Sequence, residues 1–177
     1  MRYWLLRSEP DAYGWDDLVR DGGTEWNGVR NYTARNFLKE MEPGDRALFY
    51  HSNTEKAAVG VMEITRAWQP DGDDGKWASV AVRPVEKLKR PVTLAEIKAE
   101  KRLAAIEVLR QSRLSVTPVR EDEWKVLLGM AGHSRRLHRG RFARQGSSRT
   151  PRRIGRNRAQ PSSQSSAKGE SSSPRYG

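Results

Sequence analysis

The distribution of charge divides this chain into a part that can fold and a part that cannot fold alone. Over residues 1–132, Lys and Arg balance Asp and Glu at 21 each, so the formal net charge of +11 comes entirely from residues 133–177. That segment holds 11 Arg and 10 Ser but only three large aliphatic or Phe side chains. Burying so few apolar groups does not offset the entropy lost when a chain becomes ordered. We therefore expect a domain over residues 1–132 and a disordered, Arg/Ser-rich basic tail over residues 133–177.

Two interpretations of this tail stay open. A polybasic arm neutralises nucleic-acid phosphates, and each neutralised phosphate steepens the salt dependence of binding. Patternless sequence rich in Arg, Ser, Gly and Pro is also typical of an out-of-frame C-terminus, whereas an evolved arm usually contains Lys as well. We favour non-specific binding or such an end over an evolved arm, and we look for the function in residues 1–132.

The composition excludes several classes of protein. The chain contains no Cys, so disulfides, thiolate catalysis, iron–sulfur clusters and Cys-based zinc sites are impossible. No apolar run approaches the roughly 20 residues that span a bilayer, and charged residues come too early at the N-terminus for a secretory signal. We expect a protein that does not contact membranes and that tolerates a reducing compartment.

The hydrophobic pattern predicts five strands and about four helices. The predicted strands cover residues 3–7, 46–52, 58–68, 77–85 and 114–119, and the predicted helices cover residues 15–20, 31–41, 93–104 and 121 to about 130. Thr93 and Glu96 have the spacing of a capping box at the start of the third helix. Because the strands cluster centrally and helices lie at both ends, the pattern indicates an α+β fold with a compact, barrel-like antiparallel sheet.

Enzyme signatures are nearly absent. The chain has no GxSxG, Walker, GxGxxG or HExxH motif, and His51 is the only histidine in the domain, which argues against a His-based metal site. The acidic loop at residues 70–75 lacks the closing Glu of a calcium loop and predicts a hairpin turn instead. Ser8 or Ser52 can be drawn with His51 and Glu9 as a hydrolytic triad, but no local motif supports that arrangement.

A recognition surface is the better candidate. Aromatic, amide and guanidinium side chains concentrate near loop junctions, at Trp26, Arg30, Asn31, Arg35, Tyr50, His51 and Ser52. Aromatic faces stack on bases, polar groups read the hydrogen-bonding edge of a base, and Arg binds phosphate. Trp26 stands in a polar loop, where it needs either a ligand or a pocket of its own. The other five tryptophans lie in patterned elements and are expected in the core, and Arg35 has the alternative of pairing with an acid on its helix.

Several ordered blocks of sequence carry a resemblance to a known family. They are YWLLRSEP at residues 3–10, WNGVRNYTARN at 26–36, GD at 44–45 with FYHSN at 49–53, PVTLAEIK at 91–98 and RLSVTPV at 113–119. Together they resemble the EVE-domain family over essentially all of residues 1–132. The resemblance implies the PUA-like fold, a small antiparallel β-barrel of about five strands with flanking helices, related to the ASCH and YTH domains.

The resemblance implies a non-enzymatic reader of modified nucleobases, above all a modified cytosine in DNA, such as 5-methylcytosine or 5-hydroxymethylcytosine, flipped into a pocket beside the barrel. Carried over to this sequence, it makes Trp26 the stacking face. The other implied pocket groups are Ser8, Glu9, Asn31, Tyr50, His51 and Ser52, and the implied phosphate contacts are Arg30, Arg35 and Arg113. It further implies nucleic acid as the partner, no cofactor, no metal, a monomer in the bacterial cytoplasm, and any effector as a separate protein.

Three alternatives stay open. One is an RNA-binding or RNA-modification-associated protein of the same fold, and another is a nucleotide-processing enzyme that uses Glu9 or His51 as its acid–base group. The third is a protein-interaction adaptor whose pocket takes a small ligand. The near-neutral domain argues against strong general affinity for DNA unless its arginines form a local basic surface.

Overall fold

The computed structural model describes residues 1–133 and shows an α+β fold, so the tail expected over residues 133–177 lies outside the described residues apart from His133. The strands are β1 (Tyr3–Ser8), β2 (Thr24–Trp26), β3 (Arg46–His51), β4 (Ala57–Pro70), β5 (Ala78–Thr93) and β6 (Val116–Val119). The helices are α1 (Trp15–Asp21), α2 (Tyr32–Glu40), α3 (Leu94–Ala99), α4 (Glu107–Arg110) and α5 (Glu121–Met130), with a 3₁₀ turn at Lys101–Leu103.

The strands form one six-stranded mixed sheet in the order β2-β5-β4-β3-β1-β6. Strands β3, β4 and β5 are antiparallel neighbours, which confirms the predicted meander. Strand β1 instead pairs with β3 in parallel, because α1, β2 and α2 form the long crossover that parallel neighbours require. The expectation of an antiparallel sheet of about five strands is therefore corrected to a mixed sheet of six.

Strand β5 contains Pro84 and runs eight residues beyond its predicted end, through Pro91 to Thr93. Proline is tolerated in a strand only where its missing N–H is not needed for the ladder. Strand β2 pairs with β5 only at residues 80–82, so beyond that point β5 is paired on the β4 side alone in the described chain. The two prolines mark an edge of the sheet rather than the end of the strand.

The predicted capping box is confirmed. The Thr93 hydroxyl accepts a hydrogen bond from the Glu96 N–H at 3.2 Å, and the Glu96 carboxylate accepts one from the Thr93 N–H at 3.0 Å. The helix nevertheless ends at Ala99, short of the predicted residue 104. Glu100 has an extended backbone, and its side chain accepts a hydrogen bond from the Arg102 N–H and so begins the separate 3₁₀ turn.

Apolar side chains cover both faces of the sheet because successive strand residues point to opposite sides. One apolar layer contains Trp4, Leu6, Trp15, Trp26 and Phe49 together with Ala34 and Leu38 of α2. The other contains Leu5, Leu48, Tyr50, Ile97, Trp124 and Leu127, which come from the sheet and from α3 and α5. We call these the α2 face and the α5 face of the sheet.

The described chain ends against β5. His133, assigned to the tail by the sequence analysis, is buried, and its Nε2 atom accepts a hydrogen bond from the Lys89 N–H at 3.4 Å. Its Nδ1 atom lies 3.7 Å from the Glu86 carboxylate. The folded part therefore reaches at least residue 133, and up to that residue no helix is long and apolar enough to cross a membrane.

Candidate functional site

The parallel pairing of β1 and β3 brings two of the singled-out sequence blocks to the same place. Ser8 is the register partner of His51, and the Ser52 N–H donates a hydrogen bond to the Ser8 carbonyl at 2.9 Å. Both strands end here, so the loops that follow them lie side by side at the carboxyl ends of β1 and β3. The structure thus brings together four of the predicted base-pocket residues, which we call the strand-end cluster: Ser8, Glu9, His51 and Ser52.

Ser8 organises the turn that follows β1. Its residue is fully buried, and its hydroxyl donates to the Tyr13 carbonyl at 2.5 Å. The Glu9 carbonyl accepts from the Ala12 and Tyr13 N–H groups at 3.0 and 2.8 Å, which closes the turn. Glu9 itself is half-buried at the start of this turn. The hydroxyl proton of Ser8 is therefore committed to the hydrogen bond with the Tyr13 carbonyl. The acidic group of the cluster is the Glu9 carboxylate.

Both ring nitrogens of His51 are engaged within the protein. Its Nε2 atom accepts the Trp15 N–H at 3.1 Å, and its Nδ1 atom lies 2.5 Å from the Glu55 carboxylate. An Nε2 atom that accepts cannot carry a proton, so the arrangement requires the neutral tautomer that is protonated at Nδ1. Gly14, at the cap position of α1, has no side chain with which to satisfy the first helical N–H, and His51 supplies that acceptor from another element.

Behind the strand-end cluster lies a group of aromatic rings centred on Phe49. Trp15, Trp26 and His51 each contact Phe49 edge to face, with ring centroids 5.7, 5.5 and 5.4 Å away. The Trp15 ring also packs against Gly60 of β4, where an added Cβ atom would stand 2.3 Å from it. The absence of a side chain at Gly60 is what admits the indole.

The sequence predicted a polar loop around Trp26, and this prediction is wrong. Trp26 belongs to β2, where it pairs with Val80, and it is fully buried. Strand alternation turns Trp26 into the α2 face and its neighbour Glu25 outward, where Glu25 binds Arg66 and Ser79. Glu25 and Asn27 give the local sequence its polarity, but the strand pairing decides the position of the ring.

Tyr50 is separated from the strand-end cluster, contrary to its predicted place in one pocket with Ser8 and His51. It belongs to the α5 face and is buried there, because consecutive strand residues point to opposite faces. The Arg7 guanidinium lies over its ring at 5.5 Å and donates to the Val108 and Ser112 carbonyls. Burial lowers the pKa of Arg7 and raises that of Tyr50.

The predicted phosphate contacts occupy different surroundings. Arg113 is exposed in the loop before β6, next to Ser112 and hence close to Arg7. Arg30 forms an ion pair with Asp71 at 2.9 Å, and the same carboxylate oxygen accepts the Gly28 N–H at 2.8 Å. Asp71 thereby fixes the loop before α2 and neutralises Arg30.

Asn31 and Arg35 both belong to the beginning of α2. The Asn31 side chain accepts the Ala34 N–H at 3.0 Å and caps the helix, which accounts for its residue type without a ligand. Arg35 does not pair with an acid on its helix. It donates to the Asn36 side chain at 3.1 and 2.9 Å and to the Lys76 carbonyl at 3.0 Å, and its guanidinium lies 4.8 Å from the centroid of Tyr32.

The sequence analysis missed the exposed aromatic residues beside these arginines. Tyr32 is 56% exposed and stacks on Trp77 with centroids 5.0 Å apart, and Trp68 is 40% exposed under Lys39. Trp68 and Trp77 were expected in the core. The acidic, glycine-rich loop directly before Trp77 was a usable signal, because a turn at the end of a hairpin leaves the adjoining strand residues near solvent.

A shallow depression of about 280 Å³ lies beside the strand-end cluster. Its lining residues are Thr54, Glu55, Lys56, Thr93, Leu94, Ala95 and Lys98. Asn53 and Lys56, in the loop between β3 and β4, have φ angles of 68° and 46°, in the left-handed region that costs energy for residues other than glycine. Within residues 1–133, no group of three or more His, Asp or Glu side chains is placed to hold a metal ion.

Comparison with known families and curated proteins gives a consistent match to this domain. The model of the EVE domain family matches residues 2–130. An uncharacterised protein of Schizosaccharomyces pombe is 35% identical, and the match covers 71% of this chain and 66% of that protein, so the chain spans just under two thirds of its length. Mouse thymocyte nuclear protein 1 is 32% identical over 72% of this chain and 73% of its own.

Solved structures agree with the fold. A structure from Rhodopseudomonas palustris has a TM-score of 0.72 and 46% identity, covering 75% of this chain and 94% of that one. The human THYN1 protein, solved in complex with 5-methylcytosine-containing DNA, has a TM-score of 0.69 and 30% identity, covering 76% of this chain and 99% of its own.

Proposed function

Because the chain belongs to the EVE domain family, we propose that it binds DNA carrying a modified base, with a modified cytosine as the preferred target. The observation that carries this proposal is the similarity to the human THYN1 structure in complex with 5-methylcytosine-containing DNA, which covers 99% of the protein chain in that complex. The family match over residues 2–130 includes the strand-end cluster, the aromatic rings behind it and α2, which supports the proposal.

The strand-end cluster is the proposed position of the target base. Flipping a base out of a duplex costs a few kcal/mol, and the pocket must recover this through stacking and edge contacts. The Glu9 carboxylate and the Ser52 hydroxyl are the groups of the cluster that remain for the edge of a base. A cytosine methyl group filling an apolar niche adds about 1 to 3 kcal/mol, so we expect modification to raise affinity roughly ten- to two-hundredfold.

The aromatic wall of the proposed pocket is buried within the domain. Trp26 and Ser8 are fully buried, so a base reaches them only after the turn at residues 9–14 or the loop at residues 52–56 moves. The left-handed residues Asn53 and Lys56 make the second loop the more strained of the two. We propose that this loop shifts when the base enters.

Binding without catalysis is the second part of the proposal. A general base needs an accessible lone pair within reach of the substrate. The Nε2 lone pair of His51 is taken by the Trp15 N–H, and its Nδ1–H faces Glu55. This supports a structural role for His51 rather than proton transfer, and leaves Glu9 as the residue an enzymatic alternative would have to use.

The test is fluorescence anisotropy of the full chain against matched duplexes carrying cytosine, 5-methylcytosine or 5-hydroxymethylcytosine, together with RNA counterparts, at two salt concentrations. We expect tighter binding to a modified duplex, and we expect Glu9→Gln and Ser52→Ala to reduce that preference. The control Glu40→Gln, on the outer surface of α2, should leave it unchanged. Equal affinity of the wild-type protein for all duplexes at both salt concentrations contradicts the proposal, and conversion of any oligonucleotide contradicts its non-enzymatic part.

A further inference from the structure

Four side chains on the outer side of α2 form a continuous stack. The Arg30 guanidinium lies 5.4 Å from the centroid of Trp77, Trp77 stacks on Tyr32 at 5.0 Å with an interplanar angle of 29°, and the Arg35 guanidinium lies 4.8 Å from Tyr32. The two stacked rings are thus flanked by a guanidinium group on each side. Such stacks orient the guanidinium planes and hold the rings in place before any ligand arrives.

A second cation–aromatic pair lies one turn further along the helix. Lys39, one turn beyond Arg35, lies 4.5 Å from the centroid of Trp68. Tyr32, Arg35 and Lys39 fall on one side of α2 because their spacing follows the helical repeat. We call this surface the cation–aromatic strip and define it as Tyr32, Arg35, Lys39, Trp68 and Trp77.

The strip lies on the same side of the sheet as the strand-end cluster. The inner side of α2 packs through Ala34 and Leu38 into the apolar layer that also contains Trp15, Trp26 and Phe49. Arg7 and Tyr50, by contrast, lie on the α5 face. A ligand held at the strand-end cluster can therefore continue over α2 without passing around the sheet.

The charges on the strip are available to a polyanion. Three of the five N–H donors of Arg35 bind Asn36 and the Lys76 carbonyl, which leaves two donors, one on each terminal nitrogen. In the part of the chain that the structure describes, neither Arg35 nor Lys39 has a carboxylate partner. Arg30 differs because Asp71 neutralises it.

We propose that the cation–aromatic strip binds the sugar–phosphate backbone and unpaired bases of the DNA strand next to the recognised base, independently of base identity; this rests on the proposed function. Aromatic rings with cations beside them suit a strand whose bases have lost a stacking neighbour. Flipping one base out of a duplex exposes such faces on its neighbours. The same faces are exposed whether the flipped base is modified or not, so the strip contributes equally to the binding of both duplexes.

The experiment measures the affinity of the full chain for modified duplex, unmodified duplex and single-stranded DNA, for the wild type, Tyr32→Ala and Arg35→Gln. Val19→Ala and Arg20→Gln, exposed positions on α1, are the matched controls. We expect Tyr32→Ala to weaken all three affinities about five- to hundredfold, since that range corresponds to the loss of one base-stacking contact. Arg35→Gln should make the negative slope of log K against log salt shallower by about 0.7 to 0.9. The ratio of modified to unmodified affinity should not change.

The outcomes separate this proposal from the base-reader function. Affinities of Tyr32→Ala and Arg35→Gln within twofold of wild type overturn the strip as a DNA surface, whether or not the wild type prefers a modified base. The strip proposal is also overturned if a strip variant loses the preference for the modified duplex but binds unmodified DNA as tightly as the wild type. In that case the strip would contribute to recognition of the base itself. A wild-type protein that binds DNA without preference removes the base-reader function but leaves the strip supported if the variants weaken binding. A wild type that binds no DNA overturns both. Circular dichroism of each variant shows that folding is retained.

Discussion

The Nε2 atom of His51 lies 3.1 Å from the backbone nitrogen of Trp15 and accepts its hydrogen bond, so the end of β3 caps a helix that precedes it by 36 residues. The other ring nitrogen faces Glu55 in the loop that lines the neighbouring depression. One imidazole therefore joins α1, the end of β3 and the β3–β4 loop. The loop is thus connected to the backbone N–H of Trp15 through Glu55 and His51.

Replacing His51 by Ala should destabilise the domain by about 0.5 to 2 kcal/mol, the usual cost of removing a helix cap. Glu55→Gln is the matched control, because its amide oxygen still accepts the Nδ1–H bond and its effect should be much smaller. Urea unfolding followed by circular dichroism measures both. A larger loss for Glu55→Gln than for His51→Ala would contradict the neutral tautomer assigned to the ring.

Gly60→Ala should destabilise the domain by about 1 to 3 kcal/mol, as overpacking of a well-filled core does. The new Cβ atom would stand 2.3 Å from the Trp15 ring, so the indole or β4 has to shift. Gly129→Ala in α5 is the control, since nothing lies within 4 Å of its added Cβ and alanine favours a helix by about 1 kcal/mol. Thermal unfolding should therefore move in opposite directions for the two variants, and equal shifts would be inconsistent with the packing of Trp15 on Gly60.

The strand-end cluster could be predicted from the local sequence only in part, because Ser8 and His51 meet through a parallel strand pairing where an antiparallel sheet was expected. The two strands themselves are recognisable, and they end at Ser8 and His51, within the sequence blocks at residues 3–10 and 49–53. Trp26 was placed wrongly because β2 has only three residues, too few for alternation to be recognised, and because the partner of Glu25 is Arg66, 41 residues away. Contacts at such a distance along the chain leave no periodic signal.

Tyr50 shows a different limit. Its neighbour Phe49 lies on the α2 face, so strand alternation alone assigns Tyr50 to the opposite face, and the predicted pocket could have been divided by that rule. The stack of Tyr32 on Trp77 could not have been predicted in the same way. The two residues belong to α2 and to the far end of the β4–β5 hairpin, and only the packing of the helix on the sheet brings them together.

Trp26→Phe should lower the preference for a modified base severalfold while leaving the domain folded. Burial makes Trp26→Ala a poor test, because removing a fully buried Trp costs about 3 to 5 kcal/mol and threatens folding. Phenylalanine keeps a ring against Phe49 but offers a smaller stacking face. The measurement is the affinity ratio for modified and unmodified duplexes at equal salt. An unchanged ratio in a folded Trp26→Phe protein would remove Trp26 as the stacking face.

Acid should destabilise the domain partly through Glu25. Burial alone raises the pKa of Glu25, but hydrogen bonds from Arg66 and Ser79 outweigh it and hold that pKa below its ordinary value of 4.5. A carboxyl group whose pKa is lowered by folding stabilises the protein above the unfolded pKa and loses this contribution as the pH falls through the folded pKa. Urea midpoints between pH 7 and pH 3 should fall less steeply below about pH 4.5 for Glu25→Gln than for the wild type. Parallel curves would show that the Arg66 pair contributes nothing to acid stability.

Asp71→Asn should strengthen binding to unmodified DNA. The carboxylate of Asp71 neutralises Arg30 and accepts the Gly28 N–H, and an asparagine oxygen keeps the second contact while removing the charge. Arg30 can then neutralise a phosphate, which should make the negative slope of log K against log salt steeper by up to about 0.9. Asp16→Asn, an exposed acid on α1, changes the net charge equally and should leave the slope nearly unchanged. If Asp71 acts through Arg30, adding Arg30→Gln to Asp71→Asn must cancel the gain; a gain that persists in the double variant would assign the effect to net charge instead.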